Sequence, residues 1–104
     1  MIYIFWTCAN KEEAERIVHE LLEKKLIACA SLFLGVQSIY RWQGKIEQSV
    51  EVKVQLKTTS AFFDAIEKVI LEKGSYKIPE IVQIEASKVS SSYLSWLENE
   101  LILR

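Results

Sequence analysis

With 104 residues, 13 basic against 14 acidic side chains and a formal net charge of −1, the chain offers no electrostatic footprint for nucleic acid, because its lysines and arginines are scattered among acids rather than gathered on one stripe. The length suits one domain with a real core, the apolar opening run from Ile2 to Trp6 is far too short to span a bilayer, and no basic leader with a small-residue cleavage pattern precedes it. Cys8 and Cys29 lack Cys-x-x-Cys spacing, which excludes a zinc knuckle and a disulfide framework, so a cytoplasmic protein is expected.

The opening run reads as a strand. Asn10 followed by Glu13 has the capping-box pattern, and Ala14, Ile17, Val18, Leu21 and Leu22 then recur at helical spacing. Glu23, Lys24 and Lys25 read as a solvated helix end, with Lys25 favourable near the negative terminus. Ala28 to Leu34 is apolar and bounded by Gly35, which predicts a strand that continues through Val36 to Trp42 with a bulge or bend at the glycine. After a hinge at Gln43-Gly44, Lys45 to Thr58 returns as a strand. In it Val50, Val52, Val54 and Leu56 alternate with Glu51, Lys53, Gln55 and Lys57, the period of a strand with one buried face. Ser60 can cap a second helix with Phe62, Phe63, Ile66, Val69 and Ile70 inward, and Gly74 is expected to stop it in a left-handed conformation. Pro79 rules out continuation, Ile81, Val82 and Ile84 form a short strand, and the serines at 90 to 92 can cap a last helix with Tyr93, Trp96, Leu97 and Leu101 on one side.

No linker or repeat divides the chain, so residues 1–104 are expected to be one domain. The order strand, helix, strand, strand, helix, strand is the split β-α-β pattern of an α+β, ferredoxin-like fold: an antiparallel sheet with two helices on one face, plus here a long two-stranded ribbon and an extra C-terminal helix. The ribbon is too long for so small a domain. At ~3.3 Å per residue the return strand spans roughly 45 Å, against a diameter of roughly 33 Å for a compact chain of this length. Either a bulge near Gln48-Ser49 bends it back or its tip crosses onto a neighbouring chain. With half of all residues hydrophobic, and Ile39, Tyr40, Trp42 and Ile46 at the tip, an oligomer is expected, and a closed ring of three suits a sheet with one uncovered face.

Several segments, in order, resemble the CutA divalent-cation tolerance family over about Ile4 to Leu97. They are the run from Thr7 to Asn10, Glu23 to Ala30, Ser38 to Glu47, Glu51-Val52, Leu56 to Thr58, Tyr76 to Ile81, and Tyr93 to Leu97. The resemblance implies a homotrimer of ferredoxin-like subunits, similar in architecture to PII-type signalling proteins, a link to copper and other divalent metals, and no catalytic activity. Family members proposed to bind copper use a cysteine near the end of the first strand, the cysteine of an Ala-Cys-Ala segment and a histidine in a His-Pro-Tyr turn. This chain has Trp6, Cys29 and Gly74 at those places. Cys29 is therefore the retained candidate ligand, and Cys8, two residues beyond Trp6 and on its strand face, a candidate substitute.

Soft thiolates suit Cu(I), whereas harder ions would want oxygens such as those of Glu47, Glu51 and Glu80. Against the ligand reading stands simple packing, since a cysteine is also a small hydrophobe. His19, amid the first helix without a second ligand at helical spacing, reads as a surface histidine. A second constellation, Tyr40, Trp42, Lys57, Tyr76, Glu80 and Trp96, is expected to line an intersubunit cleft, with Lys57 paired to Glu80 or to a bound anion. Two functions follow: a homotrimeric, metal-responsive binding protein, or a PII-like signalling adaptor with a small ligand or anion in the cleft and an indirect metal effect. No Gly-rich loop or Ser-His or Cys-His pairing supports an enzyme.

Overall fold

The computed structural model describes residues 1–102. Its elements run β1 (Ile2–Cys8), α1 (Lys11–Glu23), β2 (Cys29–Trp42), β3 (Lys45–Thr58), a single 3-10 turn at Ser60–Phe62, α2 (Phe63–Lys73), β4 (Ile81–Glu85) and α3 (Ser91–Asn99). The four strands form one antiparallel sheet in the order β2-β3-β1-β4, the ferredoxin-like arrangement expected from the element order.

Alternation decides which side of the sheet is dry. Ile2, Ile4, Trp6 and Cys8 of β1 lie level with Thr58, Leu56, Val54 and Val52 of β3, and all eight are buried in one core with Ala14, Ile17, Val18 and Leu21 of α1 and Ile66, Val69 and Ile70 of α2. Leu97 and Leu101 close the end of that core, where the Ile102 amide donates to the Lys25 carbonyl. Among the described residues no helix covers the opposite side. Tyr3, Phe5, Phe33, Val82 and Ile84 share it, and Phe33, Val82 and Ile84 are roughly half exposed.

Beyond the core, β2 and β3 continue as a ribbon, which makes the molecule 45 Å long against 27 and 21 Å across. The bulge lies in β2, where Phe33 faces Lys53 but Val36 faces Glu51, with Gly35 at a φ of 66°. The bend considered near Gln48-Ser49 is absent: Gln48 and Ser49 pair with Ile39 and Ser38 in unbroken register, so the ribbon runs straight out. Its tip turns through Gln43 and Gly44, both at positive φ, as a two-residue hairpin turn of the hand that matches strand twist.

Helix ends depart from expectation at several points. Half of the capping box forms: Asn10 Oδ1 accepts the Glu13 amide at 2.9 Å, but the Glu13 carboxylate turns away to Ser75. At the other end of α1, Lys25 itself takes the left-handed conformation, and the amides of Lys25 and Leu26 close onto the carbonyls of Leu22 and Leu21 in a Schellman motif. Gly74 is extended rather than left-handed, with φ −82° and ψ 157°. It is glycine because a Cβ there would sit 2.8 Å from the Ile70 carbonyl oxygen, inside contact distance. The serines proposed as caps make no side-chain cap bond. A 3-10 turn precedes α2, and α3 starts from the Ser90 carbonyl, which accepts the Leu94 amide.

Candidate functional site

A concavity of about 690 Å³ lies where the ribbon leaves the core. Three pieces of chain build it. One wall is the face of the ribbon carrying Ser38, Tyr40, Trp42, Ser49 and Glu51. Tyr40 and Trp42 reach it together because they are two residues apart on β2, in register with Glu47 and Lys45. The other wall is the α2-β4 loop from Ser75 to Glu80, and Thr7 at the end of β1 forms the floor between them.

The loop is pinned at both ends. At its start Ser75 donates its amide to Glu13 Oε2 at 3.1 Å and its hydroxyl to Glu13 Oε1 at 2.6 Å. At its finish the Thr7 hydroxyl donates to Glu80 Oε1 at 2.6 Å, the Thr7 amide donates to the Glu80 carbonyl, and Lys53 Nζ sits 3.6 Å from Glu80 Oε1. Lys53 also lies over the Phe5 ring, 5.1 Å from its centre. Between these anchors the Tyr76 phenol is held well above its ordinary ionisation range, first by burial and then by its hydrogen bond to the Glu51 carboxylate. Glu51 is only 9% exposed.

Of the six residues expected in the cleft, Tyr40, Trp42, Tyr76 and Glu80 converge there. Lys57 and Trp96 do not. Lys57 faces Tyr3 near the opposite end of β1, and its ammonium lies 3.1 Å from Ser31 Oγ and 3.7 Å from Cys29 Sγ. The partner expected for it, Glu80, is taken by Lys53, two repeats along the same strand face. Trp96 lies on α3 beside Tyr93, ring centres 5.5 Å apart. Lys53, Thr7 and the Glu13-Ser75 clasp escaped the sequence analysis, which gives Glu51 as an oxygen donor for a harder ion but not as part of this cleft. Alternation puts Lys53 and Lys57 on one face alike, and Glu13 looked spoken for by its cap.

The two cysteines occupy opposite sides of the sheet. Cys8 does share the Trp6 face, fully buried under the helices, and burial, then the charges of Glu13 and Glu51, push its thiol up to about 11 despite a bond to the Asn10 carbonyl. Cys29, in register with Lys57, is on the uncovered face. They do not converge within one chain. His19 is exposed on α1, as expected of a surface histidine. Among the described residues no group of three or more His, Cys, Asp or Glu side chains could hold a metal ion, and no helix is long and apolar enough to cross a membrane.

Comparison with known proteins adds to this geometry. The family model described as CutA1 divalent ion tolerance protein matches residues 2–100. The divalent-cation tolerance protein CutA of Pyrococcus horikoshii is 38% identical over 100 residues, covering 96% of this chain and 97% of that one. That of Escherichia coli (strain HS) is 33% identical over 100 residues, covering 96% and 89%. Crystal structures of CutA1 from Pyrococcus horikoshii and from Oryza sativa superpose with TM-scores of 0.93 and 0.94 at 36% and 29% identity, covering 99% and 97% of this chain and 100% and 93% of theirs. The family model and the two sequence relatives carry tolerance names, which favours that function over the signalling alternative. With superposition over nearly the whole chain and a family match over residues 2–100, this chain belongs to the CutA1 divalent ion tolerance protein family.

Proposed function

We propose that the chain works as a homotrimeric, non-catalytic, metal-responsive binding protein of the cytoplasm, in which copper is bound where subunits meet. The uncovered sheet face carries the proposal. Phe33, Val82 and Ile84 lie on it at 44 to 49% exposure beside Tyr3 and Phe5, while Ile39, Ile46 and Val50 stand out on the ribbon at 65 to 70%. Burying each such side chain is worth on the order of 1 kcal/mol or more, and a ring of copies covers every face without leaving an open end.

Cys29 lies on that same face, so assembly draws its thiol toward the boundary between chains. A soft thiolate suits Cu(I). One thiol beside an ammonium is not a complete site, and the described residues of one chain hold no three-donor cluster. The remaining donors would come from another copy, with Glu47 on the ribbon available for a harder ion. Cys8 joins only if the core opens, because its thiol is buried and protonated at neutral pH. Two unpaired cysteines on opposite faces also suit a reducing compartment.

Native mass spectrometry with Cu(I), Cu(II) and Zn(II) added in turn tests this. The expected species is a trimer that takes up Cu(I) in multiples of three and loses that uptake on Cys29→Ser. Val82→Lys with Ile84→Lys should convert it to monomer. A wild-type monomer in dilute solution would sink the assembly, and a trimer that stays metal-free would sink direct binding.

A further inference from the structure

We propose that the cleft between the ribbon and the α2-β4 loop binds a small organic cation, an ammonium or quaternary ammonium group held between the aromatic rings of Tyr40, Trp42 and Tyr76 and the carboxylate of Glu51. The rings come from both walls, Tyr40 and Trp42 from β2 and Tyr76 from the loop. Their electron-rich faces attract cations, and such cages recognise alkylated ammonium groups.

Glu51 supplies the charge. It is 9% exposed, yet the ion pairs among the described residues are Lys11-Glu15, Lys24-Glu20 and Lys53-Glu80, none of which includes it. A carboxylate withdrawn from water without a counter-charge is costly, and a cationic ligand would supply one. Glu80, by contrast, is already engaged by Thr7 and Lys53.

A bare divalent ion fits this cleft poorly. It needs several oxygen, nitrogen or sulfur donors at short range, and no such group exists among the described residues. The aromatic walls give it nothing directional, whereas about 690 Å³ accommodates a small organic molecule. The proposal is independent of copper at Cys29, which lies toward the other end of β1, across from Lys57.

Calorimetric titration of the full-length protein in its native assembly decides the matter, with choline as probe and neohexyl alcohol as its uncharged carbon isostere. Choline should bind at least about tenfold tighter than the isostere. Glu51→Gln should weaken choline about tenfold and leave the isostere unchanged, and Cys29→Ser should change neither. If Glu51→Gln fails to fold, the half-exposed Tyr40 carries the test: Tyr40→Leu should weaken choline several-fold and Tyr40→Phe should restore it. Equal binding of choline and isostere overturns the proposal. So does unchanged choline binding by Glu51→Gln, or no binding up to millimolar choline by protein of native mass, the result expected if a neighbouring subunit fills the cleft.

Discussion

Replacing Glu13 by alanine should loosen the cleft from a distance. Its carboxylate accepts two bonds from Ser75, the amide at 3.1 Å and the hydroxyl at 2.6 Å, across 62 positions of sequence. Hydrogen bonds to a charged group are each worth about 1.5–3 kcal/mol. Ser75 is partly exposed, so water recovers part of that loss, and a total of roughly 2–3 kcal/mol is expected. Glu13→Gln keeps one acceptor oxygen and should cost about half as much. Urea unfolding at fixed protomer concentration reads both variants, since assembly couples apparent stability to concentration. With a slope of about 1.5 kcal/mol per molar urea, the alanine variant should unfold roughly 1.3–2 M earlier at unchanged slope. Amide hydrogen exchange supplies the local half of the prediction, with Ser75 protection lost in Glu13→Ala and the centre of β3 unaffected except through global unfolding. A Glu13→Ala variant within about 0.5 kcal/mol of wild type, with Ser75 still protected, would show that the loop is held by something other than this clasp.

Gly74→Ala should destabilise by about 1–3 kcal/mol, measured in the same urea experiment, because its Cβ would meet the Ile70 carbonyl at 2.8 Å; a neutral result would mean that the end of α2 shifts freely. Gly44→Ala should cost about 1–2 kcal/mol through its φ of 80° alone, as no atom lies within 4 Å of the added methyl. Cys8 should resist thiol reagents in the native protein and react only on unfolding, while Cys8→Ala removes an alkaline sensitivity. The folded thiol keeps its proton to about 11 but an exposed one releases it near 9.0, so the unfolded chain binds fewer protons over that interval. Stability from this source is complete below 9.0 and falls as pH rises to about 11, by roughly 2–3 kcal/mol, a slope visible as the difference between wild type and variant.

What the sequence determined by itself is whatever local periodicity and chain geometry dictate. The alternation of Val52, Val54 and Leu56, the helical recurrence from Ala14 to Leu21, the break at Gly35 and the turn at Gln43-Gly44 each state their structure within a few residues. Element order then leaves few topologies, and the ribbon's length leaves two outcomes, a bend near Gln48-Ser49 or a tip beyond the core, between which only the register decides. Tertiary structure decided which polar side chain finds which partner. Lys53 and Lys57 are equivalent in the alternation, and only the position of the α2-β4 loop over Thr7 gives Glu80 to Lys53. Glu13 carries a complete capping signal, yet its carboxylate serves Ser75, a bond that exists only once α1 and the end of α2 are side by side. Cys8 and Cys29 look alike as thiols in apolar runs, but one is sealed in the core and the other lies on the open face, because strand register fixes the side and the side fixes the solvent. Backbone preference acts over a turn or a strand pair and is written locally, whereas a side-chain partnership depends on a distance between segments that only the folded chain sets.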